Sequence, residues 1–123
     1  MEKTIGFIGA GKMATAIIKG LIGSGLFDKK HIIASEPNKE YAHMIEKELG
    51  IKIVHNNREA AAEADILLLA VKPFVVKEVL TEIEDKIDDS KLIITIAAGI
   101  SSERVEEILE KQARVIKVMP VSY

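Results

Sequence analysis

The residues most suggestive of chemistry form a glycine-rich stretch near the start of the chain. Gly9, Gly11 and Ala14 follow an apolar run and open a segment with apolar residues at helical spacing. In this pattern the first glycine permits a tight turn, the second lets a pyrophosphate approach the backbone, and the small third residue lets the helix pack against the strand. The N–H groups at the helix start then face the anion. A turn that only packs a helix on a strand is the alternative, but it leaves two glycines at this spacing unexplained, so we predict a dinucleotide site.

A second candidate lies about 20 residues after the glycine motif, at the end of the second apolar run. Glu36 stands where an acidic residue would bind the ribose hydroxyls of a dinucleotide. A carboxylate there repels the additional phosphate of NADP, whereas Ser35, Asn38 and Lys39 could bind that phosphate. Glu36 and Lys39 could also be ordinary exposed loop charges. The sequence therefore places the adenosine end of the ligand at this loop and leaves the choice between NAD and NADP open.

Three further segments follow predicted strands and are candidate ligand contacts. Lys72, within Ala-Val-Lys-Pro at 70–73, could place the nicotinamide-side ribose or phosphate, or be a solvated turn lysine. Small residues at 97–99 would let a flat ring approach the backbone, although tight strand–helix packing would also select them. Asn57 is either the cap of a short helix or an adenosine-side contact. The residues alone do not decide between these alternatives.

Composition excludes several other functions. The chain of 123 residues has a formal net charge of −2 and no basic block, so we expect no nucleic-acid partner. It has no cysteine, which excludes disulfides, and its three histidines lack the spacing of metal ligands, so we expect no metal. We find no transmembrane run or signal peptide and expect a cytoplasmic protein. No convincing general acid is evident, so the catalytic residues are unknown.

Short apolar runs alternate with amphipathic segments along the chain. The predicted strands are 4–9, 31–35, 51–54, 66–71, 92–97 and 114–119, and the predicted helices are 13–22, 38–49, 57–62, 75–86 and 102–112. Helices between strands imply right-handed crossovers and a parallel sheet. With the glycine motif after the first strand, we predict an α/β fold. It is a single-domain, Rossmann-type doubly wound parallel sheet of strand order 3-2-1-4-5-6 over residues 1–123, with its ligand crevice at the carboxyl ends of the strands.

Several motifs together resemble the N-terminal half of pyrroline-5-carboxylate reductase. They are Gly-Phe-Ile-Gly-Ala-Gly-Lys-Met-Ala at 6–14, Ala-Ile-Ile-Lys-Gly-Leu at 16–21, Ala-Val-Lys-Pro at 70–73, Ala-Ala-Gly-Ile at 97–100 and Val-Met-Pro at 118–120. The resemblance runs in register from residue 3 to about residue 120. Members of that family make proline by transferring a hydride from NADPH or NADH to the C=N bond of 1-pyrroline-5-carboxylate. The resemblance implies this activity, with NADP or NAD as cofactor and an imino acid as substrate.

The resemblance also implies which residues contact the cofactor. The pyrophosphate would be lined by Ile8, Gly9, Ala10, Gly11, Lys12 and Met13. Adenosine-side positions fall to Glu36, Asn38 and Asn57, and the nicotinamide half would be flanked by Ala70, Val71, Lys72, Pro73, Ala97 and Ala98. The family often has a small polar residue where Glu36 stands, so its usual leaning towards NADPH does not transfer directly to this chain.

The end of the chain departs from the family pattern. The family continues Met-Pro with Asn-Thr-Pro and adds a helical domain that forms the dimer and most of the imino-acid pocket, whereas this chain ends in Val-Ser-Tyr at 121–123. We therefore expect a truncated chain that binds dinucleotide but reduces the imino acid poorly or not at all by itself. Apolar surface near Ile108, Leu109, Val118 and Met119 predicts self-association into a homo-oligomer through the sixth-strand edge or its neighbouring helix.

Two other interpretations stay open. The chain could belong to a related oxidoreductase of the imine or β-hydroxyacid type, or it could be a non-catalytic dinucleotide-binding remnant. The Val-Lys-Pro and Ala-Ala-Gly motifs favour pyrroline-5-carboxylate reduction over the first of these, and substrate trials would decide.

Overall fold

Parallel strands form the centre of the computed structural model, which describes residues 3–96, 99–111 and 113–118. Within these ranges the strands are β1 Ile5–Ile8, β2 Ile32–Ser35, β3 Lys52–Val54, β4 Ile66–Leu69, β5 Leu92–Thr95 and β6 Arg114–Lys117. Their order across the sheet is β3-β2-β1-β4-β5-β6, and every neighbouring pair is parallel. The predicted α/β fold with Rossmann-type strand order is confirmed, while the extent of one domain over 1–123 stays a prediction.

Helices cover both faces of this sheet. They are α1 Lys12–Ser24, α2 Lys39–Leu49, α3 Asn57–Glu63, α4 Val76–Ile83 and α5 Ser102–Leu109. The predicted helix 75–86 is only partly regular, because the 3₁₀ turns Pro73–Val75 and Glu84–Lys86 flank α4. One apolar cluster joins α1 and α2 to one face of the sheet, and a second cluster joins α3, α4 and α5 to the other. Because helices cover both faces of the sheet, the central strands are apolar along their whole length.

The side chains of β4 show how deeply the centre of the sheet is buried. Leu67 and Leu69 have no exposed surface, and Leu68, which faces the opposite side, is 5% exposed. Successive residues of a strand point to opposite faces, so these leucines contribute to both apolar clusters. The central strand β4 is therefore buried on both faces, and the sheet supports the loops at its carboxyl edge.

The ends of α2 follow the sequence prediction, whereas the cap of α3 is a different residue. Asn38 caps α2, since its Oδ1 accepts a hydrogen bond of 2.9 Å from the Tyr41 N–H, and Gly50 ends the helix with a φ of 71°. The prediction that Asn57 caps the next helix is wrong. The cap is Asn56, whose Oδ1 accepts from the Glu59 N–H at 2.8 Å, and Asn57 is the first residue of α3. Its side chain is instead engaged in tertiary hydrogen bonds.

The apolar residues predicted to be exposed for self-association differ in part from those that are exposed in the structure. Leu109 is only 3% exposed, so the expected exposure is wrong for this residue, whereas Ile108 is only partly buried against the same core. Helix α5 also ends before residue 112, at Leu109. The apolar exposure lies on the edge strand and its continuation, where Ile116 is 47% and Val118 is 45% exposed. Met119 lies outside the described residues, and self-association through this edge stays a prediction.

Candidate dinucleotide-binding site

The turn between β1 and α1 can only be made by glycine at its first position. Gly9 has a φ of 99°, a conformation that residues with a Cβ rarely adopt. A Cβ at this position would lie 2.9 Å from the carbonyl oxygen of Ala70. The loop is held close to the end of β4 because the Ala70 N–H donates to the Ile8 carbonyl at 3.0 Å. The turn therefore brings the start of α1 and the end of β4 together.

The second glycine of the motif leaves open space where an anion would bind. Gly11 is the N-cap residue of α1, and a Cβ built on it meets no heavy atom within 4 Å. Because glycine has no side chain, it supplies no cap to the N–H groups of the first helical turn. These donors and the positive end of the helix dipole suit a phosphate. The residues present therefore fit the pyrophosphate of a dinucleotide.

A series of side-chain hydrogen bonds holds the glycine loop in place. The Ser35 hydroxyl, in a residue only 1% exposed, accepts from the Gly9 N–H at 3.3 Å and donates to the Asn57 Oδ1 at 2.7 Å. The Asn57 Nδ2 then donates to the Glu82 Oε1 of α4 at 2.8 Å. The backbone of the loop is thus connected to β2, α3 and α4. Asn57 stays a predicted adenosine-side contact, but here its side chain positions Ser35.

A second hydrogen bond fixes the loop from the side of α2. The Tyr41 hydroxyl donates to the Ala10 carbonyl at 2.8 Å across 31 positions of sequence. The carbonyl and the N–H of a trans peptide point in opposite directions, so this bond turns the Gly11 N–H away from Tyr41. Sequence reasoning missed Tyr41, because nothing local distinguishes it from other tyrosines on amphipathic helices.

Replacing Tyr41 with phenylalanine is expected to lower dinucleotide affinity by about two- to tenfold, because one hydrogen bond that orients the loop is lost. Titration calorimetry with NADH measures the change. Thr81→Val provides the matched control, since it removes a hydroxyl that bonds the Lys77 carbonyl within α4. Equal affinities for Tyr41→Phe and the unsubstituted chain would show that the loop keeps its shape without this bond.

A cleft of about 970 Å³ opens between the start of α1 and the ends of β4 and β5. Its walls are mainly apolar and include Ala14, Ala16, Val75 and Ile96. Among the predicted site residues it brings together Gly11, Lys12, Met13, Ala70, Val71, Lys72 and Pro73. Such a wall suits the flat nicotinamide half of the ligand. Ala97 and Ala98 were predicted to complete it, but they lie outside the described residues.

The predicted adenosine-side residues lie beyond this cleft, after β2. Ile8 of β1 is paired with Ser35 of β2, so Gly9 and Glu36 leave the sheet at the same edge. The Glu36 N–H donates to the Val54 carbonyl at 2.8 Å. The Glu36 Oε2 accepts from the Asn38 N–H at 3.1 Å. The loop after β2 is therefore held by its own hydrogen bonds.

In the part of the chain that the structure describes, no three or more histidine, aspartate or glutamate side chains are grouped so as to hold a metal ion. None of the helices there has the length and apolar character of a membrane span. The pKa of Asp85 is lowered by its hydrogen bond with the Arg58 guanidinium, which has an Nη2–Oδ2 distance of 2.7 Å. This pair joins α3 to the turn after α4 and does not line the cleft. It is therefore part of the fold and not a candidate acid.

Comparison with known proteins agrees with the fold and the motifs. The family model described as NADP oxidoreductase, coenzyme F420-dependent, matches residues 4–99. The pyrroline-5-carboxylate reductase of Methanosarcina acetivorans is 40% identical over 119 residues, which are 97% of this chain and 44% of that protein. The chain thus spans less than half the length of this relative.

Two solved structures are similar over nearly the whole chain. A pyrroline-5-carboxylate reductase from Coxiella burnetii superposes with a TM-score of 0.91 at 32% identity, covering 98% of this chain and 44% of that one. The Plasmodium falciparum pyrroline carboxylate reductase with NADP bound gives a TM-score of 0.84 at 28% identity, covering 97% and 42%. The resemblance to pyrroline-5-carboxylate reductases is confirmed, and the chain belongs to the family described as NADP oxidoreductase, coenzyme F420-dependent.

Proposed function

We propose that this chain is the dinucleotide-binding part of an enzyme that reduces 1-pyrroline-5-carboxylate to proline with NADPH or NADH. The observation that carries the proposal is the glycine loop, where Gly9 brings the start of α1 against the end of β4 and Gly11 leaves space for a phosphate. The names of the similar proteins support the imino-acid substrate. The same proposal includes a cytoplasmic location. It also includes the absence of a nucleic-acid partner, which the net charge of −2 supports.

Each part of the ligand is assigned to one set of residues. The loop from Ile8 to Met13 would hold the pyrophosphate through its backbone N–H groups. Glu36, Asn38 and Asn57 would lie at the adenosine end, and Ala70, Val71, Lys72 and Pro73 beside the nicotinamide. When bound, the cofactor supplies a hydride from its nicotinamide ring to the imine carbon. The apolar wall of the cleft would keep water from the nicotinamide and hold its plane in one orientation.

The substrate side of the reaction is not assigned to residues of this chain. The cleft contains Lys12 and Lys72 as its ionisable residues among those described, and neither has a contact that marks it as a proton donor to the imine. We therefore assign none of the described cleft residues to binding or protonating the imino acid. On this basis the chain alone would bind dinucleotide and turn over slowly or not at all.

Binding and turnover can be tested separately. Calorimetry with NADH and NADPH is expected to detect one bound dinucleotide per chain, whereas cofactor oxidation by 1-pyrroline-5-carboxylate should be far slower than with the Methanosarcina acetivorans reductase assayed in parallel. Failure to bind either dinucleotide would overturn the proposal. Oxidation of a β-hydroxyacid, with no reaction of the imino acid, would favour the related dehydrogenase function instead.

A further inference from the structure

We propose that Glu36 makes this chain select a dinucleotide with a free adenosine 2′-hydroxyl, NADH, over one that carries a 2′-phosphate. The inference rests on the proposed function, because it requires a dinucleotide whose pyrophosphate lies at the glycine loop. The pairing of Ile8 with Ser35 places Glu36 directly beside that loop at the carboxyl edge of the sheet. A ribose attached to the pyrophosphate would therefore extend over the Glu36 turn.

The backbone of Glu36 is held in place from the side of β3. Its N–H donates to the Val54 carbonyl at 2.8 Å, and its carbonyl lies 3.1 Å from the His55 Nδ1. A residue held at both its N–H and its carbonyl cannot move its Cα away from an incoming phosphate without losing these bonds. The position of the Glu36 Cα is thus set by the fold.

The carboxylate of Glu36 already accepts the backbone donor that a phosphate would use in this turn. Its Oε2 lies 3.1 Å from the Asn38 N–H, just before the start of α2. A ribose diol can donate its hydroxyl hydrogens to the carboxylate without disturbing this bond. A phosphate can only accept hydrogen bonds, so it would have to displace the carboxylate while being repelled by it.

Of the three groups that could have bound a phosphate, the first is engaged elsewhere and the second is held in one orientation. The Ser35 hydroxyl is buried and bonded to Gly9 and Asn57. The Asn38 Oδ1 caps α2, which holds that side chain over the Tyr41 N–H. Lys39 is the third, and it borders a separate hollow of about 180 Å³.

The hollow that Lys39 borders also contains a negative charge. Its remaining walls include His43, Glu46 and His55, between α2 and β3. Glu46 supplies this charge, so Lys39 and Glu46 together add no net charge beside the ribose loop. The balance of charge nearest to the ribose is therefore set by Glu36.

The test compares the binding of NADH and NADPH to the 123-residue chain by calorimetry at low and high salt. The unsubstituted chain should bind NADH on the order of tenfold more tightly than NADPH. Glu36→Gln keeps the shape and the acceptor for the Asn38 N–H but removes the charge, so NADPH should gain affinity and the two dinucleotides should bind within about threefold of each other. Added salt should reduce the preference of the unsubstituted chain and leave that of Glu36→Gln unchanged.

Glu40→Gln is the matched control, because it removes the same charge from an exposed position in the first turn of α2. This control should keep the preference of the unsubstituted chain. NADPH binding as tightly as NADH, or a preference that survives Glu36→Gln, would overturn the inference while leaving the proposed function intact. If neither dinucleotide binds to the unsubstituted chain, the proposed function fails and this inference fails with it.

Discussion

Gly9→Ala is expected to lower dinucleotide affinity by on the order of a hundredfold or more and to destabilise the fold as well. The φ of 99° at this position is strained for any residue with a Cβ, which costs about 1–3 kcal/mol. The added methyl would also lie 2.9 Å from the Ala70 carbonyl oxygen, which is backbone and cannot rotate away. The loop would have to move off the end of β4. Titration with NADH and urea unfolding measure the two effects.

Gly11→Ala separates the loss of binding from the loss of stability. A Cβ on Gly11 meets no heavy atom within 4 Å, and its φ of −75° is ordinary for alanine. We expect the free energy of unfolding to change by less than about 1 kcal/mol, since the residue remains an N-cap without a side-chain acceptor. Affinity should nevertheless fall at least about tenfold, because the methyl occupies the space through which a phosphate reaches the backbone.

Substitutions at these two glycines are expected to differ in stability but not in binding, which makes the assignment of the loop testable. A stable Gly11→Ala variant that binds NADH as tightly as the unsubstituted chain would place the pyrophosphate elsewhere. A Gly9→Ala variant with unchanged stability would show that the turn can adopt another conformation. We expect both variants to lose binding and only Gly9→Ala to lose stability.

The sequence was sufficient to predict the order of strands because the signals involved are local. A glycine motif directly after an apolar run marks the first crossover, and apolar runs such as Ile66–Leu69 mark strands buried on both faces. Helix ends were predictable where one residue type could serve, as at Gly50. The cap of α3 was not predictable, because Asn56 and Asn57 could both cap the helix and the outcome depends on which side chain has a distant hydrogen-bond partner.

The hydrogen bonds that hold the site in place could not be predicted, because they join residues that are far apart in the sequence. The bond from Ser35 to Asn57 crosses 22 positions and that from Tyr41 to Ala10 crosses 31. Such contacts depend on the register between β1 and β2 and on how α2 packs, and no local pattern encodes them. The cleft residues were predictable because parallel strands all end at one edge. Leu109 was misjudged because its burial depends on the face that α5 turns to the sheet.

Gly6→Val is expected to be strongly destabilising although it lies outside the ligand site, at about 3 kcal/mol or more. A Cβ on Gly6 would lie 2.7 Å from the Cβ of Ala64 and 3.3 Å from the carbonyl oxygen of Ala60. Both alanines are fully buried, so α3 lies directly on β1 and has no space to absorb a larger side chain. Since small domains have only about 5–15 kcal/mol of stability, this loss is a large part of the total. Urea unfolding at constant m-value measures it.

A double-mutant cycle shows whether contact with α3 is the cause. Gly6→Ala alone should destabilise by about 1–3 kcal/mol, and Ala64→Gly in the same chain should recover about 1 kcal/mol or more, because it removes the atom 2.7 Å from the new methyl. Recovery should be incomplete, since the Ala60 carbonyl oxygen stays at 3.3 Å. Gly20→Ala is the control, because a Cβ there meets nothing within 4 Å and should stabilise α1 by about 0.5–1 kcal/mol. A coupling free energy near zero would mean that α3 shifts as a unit and that its close approach to β1 does not depend on Gly6.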